Sequence, residues 1–275
     1  ARVHARGYWG FAAMPGAADS QIVLDRARAN AQAMSRFGSR SSAPLPQGSY
    51  RGEHVFQGRA PISPKENLER LSALNAFCRQ RYSGLRSVRL TMLEEHHTKQ
   101  LATSTGTRAL SSIQRAVCYV VFAAEDEQGA PIDLAEPLSC KGSFADLDLS
   151  TDTLAAQLDR LHEHLQAKRH AVPARGGLHT VVMAPRLAGM LAHEAMGHPC
   201  EADIVLGGAV TADLVGQRVA SDLVTMVDFA SHCAGAEVMI PVYVDDEGTP
   251  SRDALLIERG ILRGFMNSRE TAAAM

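Results

Sequence analysis

The sequence predicts an α+β fold, with helices packed on an antiparallel sheet in an amino-terminal lobe, followed by a second lobe of mixed α+β structure. Three observations carry this. Helical and alternating apolar patterns take turns along the first part, the strand patterns are joined by short polar turns, and a Pro/Gly-rich break divides the chain near residue 174. At about 150 residues per domain, 275 residues suit one large domain or two smaller ones. We take 1–174 as the amino-terminal lobe, incomplete at its start, and 175–275 as the beginning of the second.

A helix is expected from Ser20, read as its N-cap, to about Arg36, with Gly38 beyond its end. Residues 39–52 hold Pro44, Pro46, Gly48 and four serines, and read as a long loop. Ser63-Pro64-Lys65-Glu66 is a capping box with Pro at the first helical position, so a helix starts there and stops near Ser83-Gly84. Val88, Leu90 and Met92 alternate with polar neighbours as in a strand. After a turn at Ser104-Thr105-Gly106, an apolar strand is expected over Val117 to Phe122, then a turn at Gln128-Gly129. This succession describes an antiparallel meander. Leu154, Leu158, Leu161 and Leu165 form one stripe of a helix capped near Ser150 or Thr151, and Lys168-Arg169-His170 suits its negative end. Past Pro173, Gly176 and Gly177, Leu178–Met183 reads as a short strand, and Leu187, Met190 and Leu191 as a helix.

Composition excludes several function classes. The 28 basic against 30 acidic residues leave a net charge of −2, so no basic excess points to nucleic acid. The longest apolar run, Ala116–Ala124, has nine residues, far short of a membrane span. Five cysteines, scattered and without a C-x-x-C pair, suit reduced thiols in a cytoplasmic protein rather than a disulfide framework. The chain opens on Ala1, with no secretory signal pattern, in an alternating segment that reads as mid-domain.

The chemistry concentrates at His193-Glu194-Ala195-Met196-Gly197-His198. Two imidazoles suit Zn2+, and a carboxylate beside the first can take a proton from the attacking water. In the H-E-x-x-H motif of metalloproteases the histidines lie about 40° apart around a helix. Here the spacing is five, or about 140° on a regular helix, too far for one ion. Gly197 weakens the turn and Pro199 disfavours helical geometry at His198, so unwinding at Gly197-His198 is expected to swing the second imidazole over the first. Other clusters read more plainly. Cys200 and Cys233 read as free thiols, His96-His97 as an exposed edge, and His162 and His164 as facing water. Asp245-Asp246-Glu247-Gly248 reads as a tight acidic turn, since an EF-hand's alternating spacing is absent.

Leu191 to His198, with Glu201 and Asp203, resembles the signature of the TldD/PmbA family of modulator-type metallopeptidases. Residues 216–221, 224–228, 245–250 and 258–266 resemble family segments in the family's order, and 9–12 and 102–106 do so more loosely. The resemblance implies a two-lobed, cytoplasmic, dimeric peptidase acting on unfolded or small peptides, with leader-peptide processing as one such task. The partner would be a second copy or a PmbA-like paralogue, with no nucleic-acid or membrane partner. Because the motif marks the TldD-type subunit, His193 and His198 are implied as zinc ligands and Glu194 as general base. A third ligand, a downstream cysteine, is implied beyond Met275, so the chain is read as truncated at both ends. Pro199 departs from the family's usual Gly. The acidic turn is implied to shape the substrate cleft. The alternative is a non-catalytic partner or binding subunit, inactive as this truncated chain.

Overall fold

The computed structural model describes residues 1–16, 19–38 and 44–275. In chain order the elements are β1 (Arg2–Ala5), β2 (Tyr8–Phe11), α1 (Ser20–Met34), β3 (Arg51–Val55), α2 (Pro64–Arg81), β4 (Ser87–Ala102), β5 (Arg108–Glu125), β6 (Pro131–Lys141) and α3 (Thr151–Lys168). They continue with α4 (Pro185–Ala192), α5 (Ala202–Leu206), β7 (Met226–Asp228), β8 (His232–Cys233), β9 (Ala236–Glu237), β10 (Ala254–Glu258), β11 (Ile261–Leu262) and α6 (Arg269–Ala274). The class is α+β. The chain forms two compact units that interleave in sequence: 1–47 with 186–227 and 254–275, and 48–185 with 228–253. The chain thus crosses between units at 47/48, 185/186, 227/228 and 253/254.

The unit of 48–185 and 228–253 is built around β5, which is longer than the expected Val117–Phe122. Strands β4 and β6 pair with it antiparallel, as a meander requires. The sheet is nevertheless mixed, because β3 pairs with β5 in parallel. β3 begins inside the segment expected to be loop. Of that segment, 39–43 lie outside the described residues, 44–50 are irregular, and Arg51 and Gly52 find backbone partners on the extra length of β5. Alternate β5 residues Ala116, Cys118, Val120, Phe122 and Ala124 are buried, and they share a core with Leu74 and Cys78 of α2 and the four stripe leucines of α3. Each leucine contributes about 1.5–3 kcal/mol of transfer free energy. The capping box of α2 forms as read: Glu66 N–H donates to Ser63 Oγ (3.2 Å) and Ser63 N–H to Glu66 Oε2 (2.9 Å). Beyond α3, the expected strand Leu178–Met183 is absent. These residues are irregular and exposed, with Leu178 and Val182 almost fully so, because no neighbouring strand supplies hydrogen-bond partners.

In the other unit, β1 and β2 form a hairpin across Arg6 and Gly7, both at positive φ (54° and 80°), as a two-residue type I′ turn demands. Helix α1 lies against it through Ala27 and Ala31, both fully buried. Its N-cap is Asp19 rather than Ser20: the carboxylate, one residue earlier, accepts from Gln21 N–H at 2.8 Å. A second core gathers Cys200, Leu256, Ile257 and Leu262, with Met196, Met226 and Met266 packed on it. This core carries the candidate site.

Candidate metal centre

Helix α4 does not unwind at Gly197-His198. It widens. His193–Gly197 form a π-helical turn in which His198 N–H donates to the carbonyl of His193, and a 3₁₀ turn, His198–Cys200, follows. Both Gly197 (φ −59°, ψ −62°) and His198 (φ −58°, ψ −47°) keep right-handed helical angles. The expected unwinding is therefore replaced by a change of hydrogen-bond register. An i→i+5 turn superposes residues five apart as an α-helix superposes residues four apart, so both imidazoles reach one face without leaving the helix. The half-buried Met196 side of the turn packs on the second core and fixes which side that is.

The consequence is a convergent donor set. Ligand atoms of His193, Glu194 and His198 lie within 4.8 Å of one another, the one such group of three or more among the described residues. The two imidazole rings sit 4.6 Å apart, edge to face. His198 Nε2 is 3.7 Å from Glu194 Oε2, and both side chains are at least half exposed. Two neutral-capable nitrogens and a carboxylate in an open position are a donor set that fits Zn2+ with room left for further ligands and substrate. Sequence reasoning placed Glu201 in the family-like signature but gave it no role of its own. Its Oε1 accepts from His198 Nδ1 at 2.6 Å, three residues after the histidine.

The other candidates separate clearly. Cys200 is fully buried in the second core, and burial raises its thiol pKa. Cys233 is exposed on the β8–β9 hairpin of the other unit. His96 meets Ser112 Oγ at 2.9 Å along the β4–β5 ladder, and His97 is exposed. His162 approaches the Ser83 carbonyl at 3.0 Å and packs against Tyr82, rather than simply facing water. Asp245–Gly248 is the tight turn expected: Asp245 Oδ1 accepts from Glu247 N–H and Thr249 N–H, and Gly248 takes φ 86°.

Residues 176–275 match the family model described as PmbA/TldA metallopeptidase C-terminal domain. A protein of Methanocaldococcus jannaschii named Metalloprotease MJ0996 is 34% identical over 174 residues, covering 62% of this chain and 37% of that protein. A Saccharolobus solfataricus protein named zinc metalloprotease TldD homolog is 34% identical over 99 residues, covering 36% of this chain and 22% of the relative. The crystal structure of TldE from Thermococcus kodakarensis superposes with a TM-score of 0.67 at 18% identity, covering 99% of this chain and 60% of that one, which shows a shared fold. The chain spans less than two thirds of the length of each of these proteins.

Proposed function

Because this chain belongs to the PmbA/TldD family, we propose that it is a peptidase of the TldD type whose metal is Zn2+. One observation carries the reading: the π-turn that brings His193, Glu194 and His198 together on one exposed face. His193 and His198 would hold the ion, with a third ligand from a cysteine beyond Met275. Zn2+ bound there supplies Lewis acidity, which polarises a scissile carbonyl and makes water a nucleophile near neutral pH. Glu194 is the general base. Its carboxylate borders the imidazoles yet stays 65% exposed, within reach of water and substrate. It accepts the proton of the attacking water and returns it to the departing amine nitrogen.

The substrates are unfolded or small peptides, leader sequences among them. The protein works as a dimer with a second copy or a PmbA-like subunit. Its location is the cytoplasm, where scattered, unpaired cysteines stay reduced. The test is Glu194→Gln in the full-length protein with its partner subunit. Glutamine keeps the shape but cannot accept the proton, so hydrolysis should vanish while zinc content stays stoichiometric. Full activity in that variant would remove Glu194 from the mechanism, and activity without bound metal would overturn the metallopeptidase reading.

A further inference from the structure

We propose that Glu201 is a positioning residue of this site: its carboxylate holds His198 in the Nδ1–H tautomer and turns Nε2 toward the ion. The proposal rests on the metallopeptidase reading above for the identity of the ion, and on the local geometry for everything else.

His198 Nδ1 lies 2.6 Å from Glu201 Oε1, a short bond of the kind made when one partner is charged. An ionised carboxylate only accepts hydrogen bonds, so the proton of a neutral imidazole facing it must sit on Nδ1. The lone pair is then left on Nε2. That nitrogen is the one that borders Glu194, at 3.7 Å, and so faces the donor cluster. Without Glu201 a neutral imidazole would divide between two tautomers and rotate, and its ligand atom would be presented only part of the time.

A positioning residue must itself be held, and the backbone around Glu201 is pinned on both sides. Glu201 N–H donates to the His198 carbonyl at 3.0 Å, closing the 3₁₀ turn that carries the histidine. Cys200, immediately before, is fully buried, and its carbonyl accepts from Met266 N–H at 2.8 Å. Ala202, immediately after, is 1% exposed and donates to the Met266 carbonyl at 3.0 Å. The Glu201 carbonyl accepts from Val205 N–H at 2.9 Å as the first bond of α5. Across the turn, the buried Thr211 hydroxyl donates to the Pro199 carbonyl. Histidine and glutamate thus stand on one braced turn three residues apart, and the hydrogen bond between them follows from that frame. A carboxylate on the far nitrogen of a ligating imidazole fixes ring orientation and raises ligand basicity, and its loss typically lowers metal affinity about 10–100-fold.

The experiment compares the wild-type full-length protein with its Glu201→Ala and Glu201→Gln variants. The imidazole nitrogens of the 15N-histidine-labelled metal-free chains are read by NMR at about pH 8.5, where an ordinary imidazole is neutral. Zn2+ affinity is read by competition with a chromophoric chelator. His198 should be the Nδ1–H tautomer in the wild type and a mixture in Glu201→Ala. Zn2+ affinity should fall about 10–100-fold in Glu201→Ala and recover most of the way in Glu201→Gln, whose amide oxygen can accept the same bond. An unchanged tautomer in Glu201→Ala would overturn the proposal. So would an affinity loss as deep in Glu201→Gln as in Glu201→Ala while Nδ1–H persists, because that pattern makes Glu201 a ligand. A wild-type full-length protein that takes up no Zn2+ would overturn the metal reading, and the tautomer comparison would still decide whether Glu201 sets His198.

Discussion

Gly197→Ala discriminates a widened turn from an unwound one. In an unwound helix end, glycine supplies the flexibility that lets His198 swing back, and alanine should drag the imbalance back toward a regular helix and separate the imidazoles. In the π-turn, Gly197 sits at φ −59° and ψ −62°, where alanine is at home. A Cβ built there would meet the Ala192 carbonyl oxygen at 3.6 Å and Met226 Cε at 4.0 Å, both ordinary van der Waals contacts. No strain arises, and the hydrogen bond from His198 N–H to His193 need not move. Alanine also removes the conformational freedom that glycine loses on folding, worth about 0.5–1 kcal/mol. The variant should therefore be about 0.5–1 kcal/mol more stable in chemical denaturation. Its Zn2+ affinity, by chelator competition, should stay within about twofold of wild type, a difference under the roughly 1.4 kcal/mol of a tenfold change. A tenfold or larger loss of affinity in a folded, equally stable Gly197→Ala protein would refute the π-turn account and restore the unwound end.

Three further outcomes follow from other parts of the structure. Gly10→Ala should cost about 3 kcal/mol in chemical denaturation, because its Cβ would fall 2.0 Å from the Ala27 carbonyl oxygen and 2.3 Å from Ala31 N, forcing α1 off its hairpin; a change under about 0.5 kcal/mol would contradict that packing. Hydrogen bonds from Arg81 first and Tyr82 second hold the Asp159 carboxyl at about 2, below the ordinary 3.8, so its stabilising effect is complete above roughly pH 4 and is lost as the pH falls toward 2; Asp159→Asn should flatten this part of the acid-unfolding curve, and an unchanged curve would discount the contact. Burial pushes the Cys78 and Cys118 thiols up to about 11, and Cys200 is buried too, so iodoacetamide at neutral pH should label exposed Cys233 first; fast labelling that survives Cys233→Ser would contradict the burial pattern.

What was legible in the sequence was local. The Ser63–Glu66 box and the four leucines of α3 are decided within a few residues of chain, and both stand where they were read. β3 was not legible, since Arg51–Val55 becomes a strand only because β5 extends far enough to pair with it. Leu178–Met183 shows the converse, an apolar extended pattern without a partner strand. Interleaved units are likewise invisible in a linear reading, because residues far apart in sequence share one core, as Cys200 and Leu256 do. At the site, residue types and spacing singled out His193, Glu194 and His198, which the structure brings close together, but arithmetic at 3.6 residues per turn kept the histidines apart. Gly197 and Pro199 were signals of irregularity, correctly placed and wrongly resolved into unwinding. Neither local propensity nor periodicity reports a shift from i→i+4 to i→i+5 bonding, and Glu201 acquires its role only once that shift has set the direction of His198.

The central claim, that the π-turn gathers a Zn2+ site from His193 and His198, is tested most directly by zinc X-ray absorption on the full-length protein loaded with one equivalent of Zn2+. The account predicts two imidazole nitrogens at about 2.0–2.1 Å, and loss of bound zinc in both His193→Ala and His198→Ala. Zinc retained in either folded variant with an unchanged absorption spectrum would contradict it.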